Sequence, residues 1–585
     1  MKYFLVILFL LLSYISYADN RDVIHSQLFY SHENVQIGDI IGYVNVNPDS
    51  LLLNIDSTLT LIIVSDTSGL FVLDGDYLDC TDNTGVQTSK LYGLTIKAVW
   101  GTYTDTETFN VYFIDADSIH YNDLDAVSDG TGTYASPGNH IQTTMTTGKY
   151  YFYKRGTSNN TATTVDWVDN TGIICYGDGA RPAFMLTHAD YGMKADGGVD
   201  DLILQGITIR HKGSRTFQLA FAGAGVNNRV WIDNCRFGEG SSSRTDVAIR
   251  SDTTVNYMTI TNCVFDSIDE DGIYLSSKYA NISYNIFKNL SVALTTGDAI
   301  QLTKTDYKST IHHNYIRMGD FSGGKGPIGL IPGGDNGGPP YPWLGEKYDS
   351  SYSSIKYNIM MNDPDNGYYG IDSHGIGDTV MYNYMSNDGG YGDGSVGVNI
   401  DQFGVIAYNI LDSFYYGIYS RGAYNLKIYN NLIKGSVRAI DNYTNATYVI
   451  YVRNNVFWNI SQYYIYSHTT NNPSMDYNIY DATSTGADWI LDGYTFINFS
   501  TFQAAGYEAH GYDGTPEMGS DYRPTNEGNL MDVGQDVSIT KDYIGSPVPD
   551  GVAPDLGIYE YQHTITPPAV EVEGQQKRRI VFITL

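Results

Sequence analysis

The chain has 585 residues, too many for one ordinary domain, and its 34 Lys+Arg against 65 Asp+Glu leave a formal net charge of −31. That balance excludes a nucleic-acid partner and an anionic lipid surface, because both need basic patches. Only 17% of residues are charged and 42% are hydrophobic, with 61 Gly, 52 Tyr, 17 Pro and 4 Cys, which excludes a disordered chain and a disulfide scaffold and suits short strands joined by tight turns.

Residues 1–18 read as a secretory signal. Lys2 supplies the positive start, residues 4–15 are almost wholly apolar, and Ser16-Tyr17-Ala18 is a small-residue cleavage site before Asp19. The apolar run is short for a bilayer span, so export without membrane insertion is expected. Residues 22–114 then alternate polar and apolar in short runs. Among these are Ile40-Ile41-Gly42-Tyr43-Val44, Gly69-Leu70-Phe71-Val72-Leu73, the apolar runs at 59–64 and 94–99, and the closing run at 108–114. About seven such strands predict a β-sandwich. Their order resembles a cadherin-like domain, although the LDRE-type acidic motif of cadherin calcium sites is missing. The module is read as a spacer or adhesive arm rather than a catalyst.

From residue 115 a repeat takes over, in which an apolar residue precedes Asn by three and another follows it by two. Its Asn residues are 285, 314, 358, 383, 409, 431, 455 and 478, at spacings of 29, 44, 25, 26, 22, 24 and 23. Asn234 and Asn262 belong to the series in a slightly different register. A period near 25 built from strands means a chain that coils and stacks on itself. Each Asn, at a fixed bend, can bond the coils above and below, so the row is structural. Cys235 and Cys263 follow Asn234 and Asn262 and read as stacked interior thiols, with a disulfide as the alternative.

This pattern over residues 115–561 resembles the right-handed parallel β-helix of pectin-lyase-like proteins. Residues 125–137 with Tyr176-Gly177-Asp178-Gly179-Ala180-Arg181-Pro182 resemble the opening of secreted polysaccharide-active β-helices. Residues 542–547 and 554–561 resemble their closing segment. The tail, 562–585, reads as a linker with a short strand at 579–585. The fold class expected is therefore all-β, a β-helix preceded by a sandwich.

Before each Asn motif lies a second short strand, and strand side chains alternate faces. With Ile or Val inward, the outward set is Arg250, Asp252, Tyr274, Ser276, Gln301, Thr303, Asp372, His374, Asn399, Asp401, Tyr419 and Arg421, with Lys304 directly after its strand. Stacked coils lie about 4.8 Å apart, which makes His374, Asp401 and Arg421 a column of three neighbours able to form one acid–base network. Arg250, Lys304, His374 and Arg421 set one positive strip on an acidic protein, a device that concentrates an anionic ligand.

The resemblance implies a uronic-acid polysaccharide as partner and β-elimination as chemistry. That reaction needs the carboxylate neutralised, a base at C5 and a donor to the leaving oxygen. His374 or Lys304 is the expected base, Arg421 the neutraliser and Tyr419 the donor. Lys304 and Arg421 lie four coils, roughly 19 Å, apart and cannot serve one sugar. The alternative is hydrolysis by Asp372 and Asp401, whose backbones the coil spacing sets about 8 Å apart, within the range of inverting glycosidases. A third reading is a non-catalytic glycan-binding adhesin or virus-derived fibre.

The polygalacturonase motif set does not occur here. Ala299-Ile300-Gln301-Leu302-Thr303-Lys304 resembles the catalytic-lysine strand of alginate and chondroitin lyases, but the partner Arg strand of that family is replaced by Leu330-Ile331-Pro332-Gly333. Asp269, Glu270 and Asp271, with Asp298 at the matching position of the next coil, are carboxylates that repel unless a cation lies between them; Ca²⁺ suits such hard oxygen ligands. The insertion at 319–350 offers Lys325, Tyr341 and Trp343 as further glycan contacts, alongside Arg250, Tyr274, Gln301 and Asn399.

Overall fold

The computed structural model describes residues 24–561 apart from internal segments, those of five or more residues being 45–58, 212–216, 239–246, 291–296, 319–326, 333–350, 363–368, 388–393 and 444–448. The signal at 1–18, the tail at 562–585 and the loop residues Lys325, Tyr341 and Trp343 lie outside the described residues. The chain divides into two compact units, the first from residues 1–244, 259–264 and 567–585, the second from 245–258 and 265–566. No helix among the described residues is long and apolar enough to cross a membrane.

The first unit opens with seven strands in two sheets. Leu28–His32, Tyr103–Ile114, Leu91–Trp100 and Leu59–Asp66 pair in that order, and Ile40–Tyr43, Tyr77–Cys80 and Phe71–Asp74 form the second sheet. Alternation explains the core: Leu94, Ile96 and Ala98 of one strand and Phe109, Val111 and Phe113 of its partner are all buried against Phe71 and Leu78 of the other sheet. The sandwich read from 22–114 is present. Pattern reading missed Leu28–His32, whose run of buried residues has no alternation because both of its faces are covered. Its Tyr30 packs against Trp231 of a coil at a ring separation of 5.1 Å, and the Tyr30 N–H donates to Gln205 Oε1 at 3.1 Å.

Both units contain stacked coils whose strands pair in parallel, and a parallel β-helix is the fold. In the second unit the register is regular: Ile371, Val398, Ile418, Ile440 and Ile465 stand above one another and are fully buried.

The residue before each ladder Asn turns the corner. Tyr284, His313, Tyr357, Tyr382, Tyr408, Asn430, Asn454 and Tyr477 all have φ between 51° and 59°, the left-handed region. The Asn that follows is buried and bonds vertically. Asn383 donates through N and Nδ2 to Asn409 Oδ1, both at 3.0 Å, and its Nδ2 also reaches the carbonyls of Ile355 and Met381. The pattern holds from Asn285 to Asn478. Every amide points its hydrogens the same way, so the last one needs an acceptor. Glu508 supplies it, taking Asn478 N at 3.1 Å and Nδ2 at 2.6 Å, with the Tyr480 hydroxyl at 2.7 Å.

The first unit corrects one expectation. Asn234 and Asn262 are not ladder residues but the left-handed ones, at φ 53° and 56°. The ladder position belongs to Cys235 and Cys263. Their thiols reach carbonyls as the Asn amides do, Cys235 to Asp233 O at 3.2 Å and Cys263 to Thr261 O at 3.1 Å. Both cysteines are buried and are not joined in a disulfide.

Candidate functional site

The site sits in the second unit, on strands Tyr369–Ser373, Val396–Ile400, Tyr416–Ser420, Arg438–Asn442 and Tyr463–Ser467. In each, the buried Ile or Val forces the next residue to the opposite face. Register then sets Asp372, Asn399, Tyr419, Asp441 and Tyr466 in one column. The residue after each strand starts a second column: His374, Asp401, Arg421, Tyr443, His468. The predicted neighbours His374, Asp401 and Arg421 are thus brought onto successive coils.

Their environment differs from the solvated face that alternation suggests. His374, Asp401 and Asn399 are 5%, 4% and 1% exposed. The His374 ring lies between two carboxylates, with Nδ1 at 2.7 Å from Asp401 Oδ2 and Nε2 at 3.1 Å from Asp372 Oδ1. Asn399 Nδ2 donates to the same Asp372 oxygen at 2.6 Å. Burial alone would lower the imidazole pKa, but Asp372 and Asp401 outweigh it and hold the ring well above its ordinary value. Burial would raise Asp372, yet the His374 charge and its hydrogen bonds bring that carboxyl below its ordinary range.

Two expectations are corrected by this clamp. His374 has both ring nitrogens bonded to carboxylates and none free, so it cannot serve as the base. Asp372 and Asp401 do not face each other across a water-sized gap, because the imidazole fills it; the geometry of an inverting pair is absent.

Arg421 stands on the next coil, its guanidinium 5.2 Å from the centre of the Tyr419 ring. Burial raises the Tyr419 phenol, opposed by the hydrogen bond from Arg421. Beside these groups, Asp401 Oδ1 and Asn399 Oδ1 are buried without a hydrogen-bond partner among the described residues. A buried acceptor left without a donor is costly.

Other predicted residues lie apart. The Arg250 guanidinium stacks over Tyr274 at 5.2 Å and bonds Asp252 on its own coil at 3.0 Å, four coil steps, roughly 19 Å, from His374. Gln301 is buried in the coil between. Lys304 lies in the strand Ile300–Tyr307, in register with Pro332, and its side chain is outside the described residues. In the acidic group, Asp271 and Asp298 are buried and Asp271 Oδ1 accepts the Asp298 N–H at 2.7 Å. Among the described residues no three His, Cys, Asp or Glu side chains are grouped to hold a metal ion.

Sequence reading stopped at Arg421, but the columns continue. Arg438 is surrounded by the rings of Tyr415, Tyr416, Tyr463 and Tyr466, at 4.8 to 5.9 Å, and its guanidinium meets Asp441 Oδ2 at 2.6 Å. Asp441 is 1% exposed, and its other oxygen bonds His468 Nε2 at 3.1 Å. The signal was there: Ile465-Tyr466-Ser467-His468 repeats Ile371-Asp372-Ser373-His374 and Ile418-Tyr419-Ser420-Arg421.

No family model matches the chain, and no curated protein does. Among solved structures it is similar to the pectate lyase Pel9A, at 14% identity and TM-score 0.37, over 76% of this chain and 96% of that one. It is also similar to a GH136 lacto-N-biosidase from Eubacterium ramulus, at 11% identity and TM-score 0.29, over 57% and 64%. A third likeness is to Drosophila N-cadherin EC1-3, at 11% identity and TM-score 0.13, over 19% and 41%. Likeness at this level assigns no chemistry to the residues of this chain.

Proposed function

We propose that the chain is an exported, carbohydrate-active enzyme whose β-helix face cleaves a uronate-containing polysaccharide by β-elimination. One observation carries the reading: a guanidinium, Arg421, is only partly buried and stacks on Tyr419 on the coil next to the Asp372–His374–Asp401 clamp. A uronate brings the carboxylate that this guanidinium can pair with. Arg421 neutralises that carboxylate and makes the C5 proton more acidic. Tyr419 donates to the leaving oxygen. The Asp372–His374–Asp401 clamp fixes the wall of the site.

The test is ultraviolet absorbance of the unsaturated uronate product during incubation with alginate, pectate and chondroitin sulfate, with Ca²⁺ and with chelator. Wild type is expected to give a rise, and Arg421→Ala to lower the rate about 10²–10³-fold, the loss typical of one transition-state donor. A chelator effect would show that a cation takes part. New reducing ends without unsaturation would move the chemistry to hydrolysis. Neither signal would favour a glycan-binding protein.

A further inference from the structure

An elimination needs a base, and the clamp withholds His374 from that role. Around Arg421, the remaining groups are a guanidinium, two carboxylates tied to His374 and phenols whose pKa burial raises. None of these is a free neutral base. Two coils further along the same column stands His468, and its surroundings differ in each respect that matters.

His374 is 7% exposed at its side chain and both its nitrogens are bonded; His468 keeps 27% of its side chain exposed and has one nitrogen bonded. The bonded one is Nε2, held by the buried Asp441. A buried carboxylate accepts N–H, which sets the tautomer and leaves the lone pair on Nδ1. Nδ1 has no hydrogen bond among the described residues. Asp441 is fixed in turn by Arg438, which Gln462 Oε1 also holds at 3.2 Å. The ring is wedged between Tyr466, at 4.2 Å, and the half-exposed Tyr443, at 4.6 Å. Among the described residues the groups facing His468 are thus Asp441, Tyr443 and Tyr466, with Arg438 behind Asp441.

We infer that His468 is the proton acceptor of this face and that Asp441 is its positioning residue, acting on an anionic glycan whose carboxylate is held at Arg421. The inference rests on the elimination reading above. Arg421 and His468 are two coil spacings, roughly 10 Å, apart at the backbone, a gap that a guanidinium arm and one pyranose ring bridge. In the step, the Nδ1 lone pair takes the proton from C5. The C5–H pair becomes the C4=C5 double bond, and the C4–O bond breaks with its electrons on the leaving oxygen. That oxygen takes the Tyr419 proton. His468 then releases its proton to solvent, and Tyr419 regains one.

Two measurements decide it. The first needs no substrate: diethyl pyrocarbonate is applied to the whole protein and each histidine is followed by mass spectrometry. His468 is expected to be acylated rapidly and His374 to resist. Asp441→Asn should slow the His468 reaction several-fold, while circular dichroism confirms the fold that Gln462 and the tyrosine cage still support. Equal rates at His468 and His374, or no change in Asp441→Asn, would overturn the dyad.

The second is turnover. On a glycan that wild type cleaves, His468→Ala should lose about 10²–10⁴ in kcat with KM little changed, and added imidazole should restore part of it. Asp441→Asn should also act on kcat rather than KM. If His468→Ala keeps more than about a tenth of the rate, well short of a general-base loss, the inference falls while the elimination reading stands. If wild type cleaves none of the uronates, the elimination reading falls and this role of His468 falls with it, whatever the acylation result says of the dyad.

Discussion

In the second unit the residue after the left-handed bend is Asn on every coil from Asn285 to Asn478, and each amide bonds the next. In the first unit the same position holds Cys235 and Cys263. The backbone turns the same corner in both, so the bend belongs to the left-handed residue before it, not to the amide. What the amide adds is coupling between coils. An Asn side chain has two donors and a two-lone-pair acceptor, whereas a thiol has one weak hydrogen. A β-helix can thus keep its shape with either residue but lock its coils together only with one.

Substitution should separate the two. Asn383→Ala removes the acceptor for Asn358 N and Nδ2 and the donors to Asn409, Ile355 and Met381. Buried groups left unpaired cost about 1–3 kcal/mol each, so a loss of about 3–4 kcal/mol is expected. Cys263→Ala, in contrast, leaves a small apolar void and should cost about 1 kcal/mol. Hydrogen exchange followed by mass spectrometry reads the opening free energy of each coil separately. Similar losses at both positions would mean that the amides add no coupling beyond the thiols.

The amide ladder also has an end, at Glu508. Burial pushes Glu508 up to about 7, opposed by donors from Tyr480 and Asn478. A carboxyl whose folded pKa exceeds its unfolded value, about 4.3, binds more protons when folded. Its contribution is fully present below that unfolded value and is lost as pH rises through about 7. Wild type should therefore lose about 2 kcal/mol between roughly pH 5 and 8 from this group. Glu508→Gln should flatten that part of the curve, measured as Tm against pH in the two proteins. Parallel curves would show that Glu508 does not titrate in this range.

Much of this was legible in the sequence because it repeats. The Asn period gave the coils, and period-two alternation placed Asp372, His374, Asp401 and Arg421 on one face. The state of those groups was not legible. Alternation says which face a side chain takes, but not that two carboxylates would enclose His374. That depends on the register of Ser373 with Ile400, which brings His374 beside Asp401. The thiol row was hidden for a related reason: Asn is both a ladder residue and a good left-handed residue, so Asn234 matched the motif one position early. Glu508 carries no motif at all. It ends the ladder by chemistry alone, thirty residues after Asn478.

The left-handed position sharpens the comparison at its smallest scale. In the second unit Tyr284, His313, Tyr357, Tyr382 and Tyr408 stack at 4.9, 4.9, 4.8 and 5.6 Å between successive rings. In the first unit the position is Asn, and Asn262 Nδ2 bonds Asp233 at 2.7 Å. Tyrosine adopts this backbone less readily than Asn, so stacking must offset the difference. Tyr357→Asn gives up two ring contacts, about 0.5–1.5 kcal/mol each, and recovers the backbone preference. Tyr357 is buried with Tyr382 and Tyr408, so Asn also leaves a cavity there and the net loss should be about 2 kcal/mol. Tyr357→Phe, which keeps the ring, should cost less. Thermal unfolding of the pair checks the order. If Tyr357→Asn instead costs as much as Asn383→Ala, the buried stack of rings holds neighbouring coils together as firmly as the amides do.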